Sequence, residues 1–279
     1  MNRIKEFYKE IYEFGQLCKE NHLDSHSAAA AFFMFVSIIP FIIVVLCIIP
    51  FTPVTGSSIL TIAKAVLPER LDSYAVDIVK ELSNESITLL SVSAIIAMWS
   101  SSRALLTIKQ GLNEISGVIE TRNFIILRIN AVFHTLILIV SILLMLILNV
   151  VITGIDRYLR VSLGINIVDY DFVHFIIMLR PLITLIVGFL ANLYFFAALP
   201  NHKDSIKSQI PGALLVSIVW YIFSTFFGIY INNYNAYSMY GSLSIVIIVH
   251  FWLYACMYIL FLGGQFNYYL SLKRQNNTI

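Results

Sequence analysis

The sequence predicts an all-α, polytopic membrane protein with six transmembrane helices plus amphipathic interfacial helices. Six apolar stretches, residues 28–51, 87–108, 131–153, 175–199, 210–231 and 243–270, are the first ground for this. Each reaches the roughly 20 residues that a helix needs to cross the hydrocarbon core. Composition is the second: 59% hydrophobic and 12% charged residues, with a mean hydropathy of +0.83. No water-soluble fold of 279 residues hides that much apolar surface. The third is the pattern within the stretches. Uninterrupted runs of Ile, Leu, Val and Phe lack the alternation of a barrel strand, and lipid leaves the backbone no other partner than its own helix.

The first element, residues 1–27, reads as a cytoplasmic amphipathic segment. Ile4, Phe7, Tyr8, Ile11, Tyr12, Gly15 and Cys18 share a helical face against Lys5, Lys9, Glu10 and Glu13. The six-helix domain follows at 28–270. Its first stretch is too long, and too mixed in charge ahead of it, for a cleaved signal peptide. Pro40 falls inside that stretch after Ser37 and removes a helical hydrogen bond, so a kink is expected. Residues 52–86 form an external connection with a second amphipathic helix, in which Leu71, Tyr74, Ala75, Ile78, Val79 and Leu82 recur on one face. They are expected to cap the bundle. Pro200 ends the fourth stretch, and Pro211 suits the first turn of the fifth. A final external loop holds Tyr230, Tyr234, Tyr237 and Tyr240 among asparagines. Residues 271–279 are the tail.

Basic residues orient the bundle. The amino-terminal segment carries Arg3, Lys5, Lys9 and Lys19. The same side gains Arg103, Lys109, Arg122 and Arg128, then Lys203 and Lys207, then Lys273 and Arg274. The opposite side has only Lys64, Arg70, Lys80, Arg157 and Arg160. The positive-inside rule puts both termini in the cytoplasm.

Composition also excludes function classes. A net charge of +2 gives no case for nucleic-acid binding. Cys18, Cys47 and Cys256 have no metal-like spacing and make no disulfide framework. His22, Asp24 and His26 lack a further ligand at fixed distance, and capping by Asp24 and Ser25 accounts for them. No nucleotide-binding motif is present, and no acidic residue lies within any span.

Candidate site residues are the polar ones inside apolar stretches. Arg180 has two readings: an anchor at the outer interface ahead of Pro181, or a site for an anion or lipid headgroup. Arg103 reads as a snorkelling anchor. His134 and His250 can titrate, and Asn192 and Ser37 can line a path. All of these have a plainer role as interhelical hydrogen bonds, and small residues at 28–31, Gly188, Gly212, Gly228, Gly263 and Gly264 read as close-approach contacts. Tyr237 and Tyr240 either stack on a headgroup or form an aromatic belt.

Leu193-Tyr194, Leu199-Pro200-Asn201, Pro211-Gly212-Ala213, Trp220, Tyr240-Gly241-Ser242-Leu243, Trp252-Leu253-Tyr254 and Leu262 to Asn267 stand in an order that resembles the YihY/BrkB family of bacterial inner-membrane proteins. Ala28 to Ala31 with Phe32-Phe33, Ser37 and Pro40 resemble its first span, and Trp99-Ser100 with Asn113 its second. The resemblance implies a six-helix fold in the bacterial plasma membrane and a loose link to serum resistance and envelope lipid export. The family usually has Ala-Glu where this chain has Gly264-Gln265, so a proton relay through that carboxylate is not expected. A ribonuclease label attached to the family finds no clustered carboxylates or basic groove here.

The expected function is therefore transporter-like: moving or exposing a lipid or amphiphile in envelope biogenesis, with no enzyme activity, no cofactor and no metal. The alternative is a non-transporting membrane scaffold or assembly factor. Membrane lipids are the expected partners, with a membrane-protein partner or homo-oligomer also open, and no nucleic acid.

Overall fold

The computed structural model describes residues 2–38, 87–137, 140–141, 171–201, 205–233 and 242–276. The described residues form seven helices and no strand. These are α1 (Asn2–Glu20), α2 (Leu23–Val36), α3 (Ile87–Ile115), α4 (Phe124–Ile137), α5 (Asp171–Ala198), α6 (Ile206–Asn233) and α7 (Ser242–Asn276). Three of them carry stretches long and apolar enough to cross a membrane: Pro181–Ala198, Ile206–Ile231 and Val246–Gln275. The first and third predicted spans are described only in part, at 28–38 and at 131–137 with 140–141. Pro40, the 52–86 cap, Tyr237 and Tyr240 lie outside the described residues.

Alternating helix directions bring one set of ends together. The start of α2, the ends of α3 and α5, the start of α6 and the end of α7 share a core, referred to below as the base. Leu23, Ala30 and Ala31 meet Leu105, Ile108 and Leu112 there, with Phe196, Val216, Leu260 and Phe261 filling the centre. Away from the base the described helices pack more loosely, with Trp220 donating to the Cys256 carbonyl and Phe227 tilted against Phe251. No α6 residue from position 218 to 231 is buried. Ile210, Leu214, Ile218 and Ile222 form an exposed stripe at four-residue spacing, and Leu182, Ile186 and Leu190 repeat it on α5. Continuous apolar stripes of this kind suit lipid and not water.

Three local features depart from the sequence reading. Residues 271–276 of the expected tail continue α7, which runs 35 residues. Pro211 sits inside α6 and not in its first turn, because the helix already starts at Ile206. The entry to α2 has no side-chain cap. His22 turns the corner in a left-handed conformation (φ 47°, ψ 43°), and Asp24 falls within the first turn of the helix.

The tightest helix crossing joins α6 to α7. A Cβ added at Gly212 would strike the Gly263 carbonyl, and one at Gly263 would strike Val216. Only hydrogen fits at either Cα, so the two backbones approach directly. Gly188 and Gly228 differ from the expectation: a Cβ there would meet nothing within 4 Å. Gly212→Ala is therefore expected to cost about 1–3 kcal/mol by overpacking, whereas Gly228→Ala should leave stability unchanged or raised. Thermal unfolding of the two variants in the same detergent checks the contrast.

Candidate functional site at the base of the bundle

Polar side chains at the base form a layer that ties every described helix group together. Asn267 is its centre. Its Oδ1 accepts from the Gly212 backbone N–H at 2.7 Å, and its Nδ2 donates to Gln209 Oε1 at 2.9 Å and to the Gln209 carbonyl at 3.3 Å. Gly212 lies one residue after Pro211, where the helix has already lost one donor, and the Asn267 amide occupies the gap left by the missing glycine side chain. A cavity of about 20 Å³, room for one water, opens beside Gln209 and Asn267 against Phe196 and Gly264.

Two residues earlier on α7, Gln265 is fully buried and accepts from Asn21 Nδ2 at 2.7 Å, fastening the α1–α2 corner. On the other side, Asn113 Oδ1 accepts from the Asn201 N–H at 2.8 Å, joining α3 to the chain just past α5. Asn113 Nδ2 donates to Glu120 Oε2 at 3.1 Å. Lys109 Nζ stands 2.8 Å from the same oxygen, as an ion pair and not an aligned hydrogen bond. His26 Nε2 approaches Glu114 Oε2 at 3.1 Å in the same unaligned way. That contact spans α2 and α3, and accounts for the histidine that the sequence set beside His22 and Asp24. Among the described residues, no group of three or more His, Cys, Asp or Glu is placed to hold a metal ion.

Burial pushes the Lys109 ammonium below its ordinary value, more than Glu120 pulls it up. Burial alone would raise the Glu120 carboxyl, but the Lys109 ammonium and hydrogen bonds from the Arg122 N–H and Asn113 hold it below its ordinary value. The two shifts act in opposite directions on stability. Glu120 stabilises the fold above its ordinary value and loses that contribution as pH falls through its lower folded value. The penalty on charged Lys109 persists throughout this acid window and fades only at high pH. The net acid dependence follows Glu120.

The sequence-selected residues are dispersed. Asn192 is buried on α5, donating to the Gly188 carbonyl at 2.9 Å and to Ser217 Oγ on α6 at 3.2 Å. His134 Nδ1 lies 2.5 Å from the Asn130 carbonyl, and its ring packs 5.8 Å from Tyr194. His250 meets Phe35 edge-on at 5.8 Å, in a different helix pair. Ser37 Oγ donates to the Phe33 carbonyl at 2.6 Å, one turn back in its own helix. Thr135, Ser141 and Ser217 likewise donate to carbonyls four residues earlier. Hydroxyls satisfied in this way need no aqueous path. Arg180 lies in α5 one residue ahead of the apolar stretch starting at Pro181; its side chain lies outside the described residues.

Asn21 and Gln209 did not stand out in the sequence, and Asn113 and Asn201 stood out only as parts of the family resemblance. The signal present was a polar residue near each end of an apolar stretch, on the side rich in Lys and Arg. On the same side α1 packs against the end of α7, with Phe14 between Phe266 and Tyr269 and an ion pair from Lys273 to Glu10. Between these helices runs a groove of about 370 Å³ lined by Tyr12, Gln16, Leu17, Tyr269 and Leu272.

Comparison with known proteins gives a family and several relatives. The family described as virulence factor BrkB matches residues 16–278. YfkH of Bacillus subtilis (strain 168), named ribonuclease-like, is 32% identical over 275 residues, covering 96% of each chain. A UPF0761 membrane protein of Chlorobium phaeobacteroides (strain BS1) is 27% identical over 92 residues, 33% of this chain and 22% of that one. Another from Pseudoalteromonas translucida (strain TAC 125) is 27% identical over 105 residues, 37% of this chain and 34% of that one. No solved structure matches.

Two outcomes test the layer. Asn267→Leu removes the acceptor of the Gly212 N–H and the amide that donates to Gln209, and is expected to lower stability by about 1–3 kcal/mol, read by denaturation in detergent. Glu120→Gln should be less stable than the native chain at pH 7. The gap should close as pH falls below the ordinary carboxylate range, as melting curves at stepped pH would show.

Proposed function

The chain belongs to the virulence factor BrkB family, and we propose that it is a six-span plasma-membrane protein that moves or exposes a lipid or other amphiphile between leaflets. Both termini lie in the cytoplasm in this reading, so the base faces inward, in keeping with its concentration of Lys and Arg. It has no enzymatic step.

One observation carries the proposal. The bundle is closed at the base by a core and a polar layer, yet no α6 residue from position 218 to 231 is fully buried. Helices pinned at one end and less closely packed at the other give an amphiphile lateral entry from the bilayer, with its polar part meeting side chains such as the exposed Ser224 and Thr225. The acyl chains need not leave hydrocarbon. With no acidic residue in any apolar stretch and no nucleotide-binding motif, facilitated exchange needs less machinery than pumping.

A second reading has its own support. α1 leaves Phe7, Tyr8, Ile11 and Tyr12 exposed beside the α1–α7 groove, a surface suited to a protein partner if the chain is a scaffold. Reconstitution separates the two. Vesicles holding the purified chain are expected to pass a fluorescent phospholipid between leaflets at least about tenfold faster than protein-free vesicles, as dithionite quenching reports. Unchanged leaflet exchange for every envelope lipid tried, with a stoichiometric protein partner on affinity capture, would transfer the assignment to a scaffold.

A further inference from the structure

Arg103 and Arg128 stand side by side where α3 meets α4, and no carboxylate pairs with either among the described residues. Arg128 is only 7% exposed. Its Nη2 donates to the Trp99 carbonyl at 2.7 Å, and its Cζ lies 4.9 Å from the Trp99 ring centroid. Its Nε and Nη1 are buried with no hydrogen-bond partner. A buried guanidinium with two idle donors is expensive, because each N–H has surrendered water without replacement. The neighbouring cation adds to the cost: burial and Arg103 both press the Arg128 guanidinium towards losing its proton.

Arg103 follows Trp99 by one turn on the same face of α3. Its guanidinium lies over the Phe33 ring, with Cζ 5.4 Å from the centroid, and the residue is exposed. Trp99 is 50% exposed. Two cations and two aromatic faces therefore converge at the margin of α2, α3 and α4. Sixteen residues of α3 separate Arg103 from Ile87, or about 24 Å of helix, which puts the cluster near one boundary of a core about 30 Å thick. Headgroups lie at that level.

We propose that Arg103, Arg128 and Trp99 form a binding site for a phosphate ester anion, the chemistry shared by a phospholipid headgroup and a free phosphate. The anion supplies the acceptors that Arg128 Nε and Nη1 lack and neutralises the pair, as guanidinium groups do with phosphate elsewhere. Trp99 covers the guanidinium and moves aside on entry. The site names a headgroup class for the lipid reading above, on which it rests only for the membrane setting; binding without leaflet exchange would defeat transport and leave the site standing.

Native mass spectrometry of the full chain, released from detergent with phosphatidylglycerol or phosphatidylcholine added, tests it. Phosphatidylglycerol is expected to be retained in preference, and to be lost roughly tenfold in Arg128→Gln and in Arg103→Gln. Arg103 is exposed and makes no ion pair among the described residues, so its variant serves if Arg128→Gln does not fold. Displacement of the lipid by millimolar inorganic phosphate would assign the site to free phosphate as well; resistance to it would assign the site to lipid. Equal retention of both lipids, unaltered by either substitution, would overturn the proposal.

Discussion

Everything at the base depends on one arrangement: two glycines, Gly212 and Gly263, let α6 and α7 touch backbone to backbone, and Asn267 fills the notch beside them. In hydrocarbon, helices gain nothing from hiding apolar surface, since lipid is as apolar as leucine. Close packing and hydrogen bonds must supply the association instead. A side-chain amide that bonds a backbone N–H in low dielectric is strong, but only if the helices are close enough for it to reach. The glycines provide that distance. From this crossing the layer extends through Gln265 to the amino-terminal helices, while α5 is joined to α6 by Asn192 and Ser217.

The layer is polar where the spans are greasy, and its members are mostly amides. Asparagine and glutamine donate and accept at once, so each bridges two elements without charge. The ion pair of Lys109 with Glu120 sits at the end of α3 where the chain turns back towards α4. There desolvation weighs on both partners, and extra donors to the carboxylate decide which charge is favoured. A pair so placed holds a turn in one shape more than it adds to overall stability.

Helical class and membrane character were legible because they rest on composition and run length, which need no tertiary information. The glycine pairs at 212 and 263 were legible for a related reason: small residues inside apolar runs have few uses other than contact. The same logic misled at Gly188 and Gly228, which border open space. The polar layer was not legible. Asn21 and Gln265 are 244 positions apart, and no periodicity links a residue before the first span to one near the end of the last. The charge count treated Arg128 as one more basic loop residue; its burial under Trp99 follows from the fold of α4 onto α3, which no local pattern encodes.

At 35 residues α7 is about 52 Å long, well beyond the thickness of the hydrocarbon. A helix of that length crosses the hydrocarbon with turns to spare, and α1 is held along its last turns by Phe14 and Lys273. Packing against neighbouring helices and interfacial anchors set the tilt of such a rod. A change in tilt of about 10° would carry the tip of so long a helix sideways by about 9 Å, and α1, held to it by Phe14 and Glu10, would travel with it.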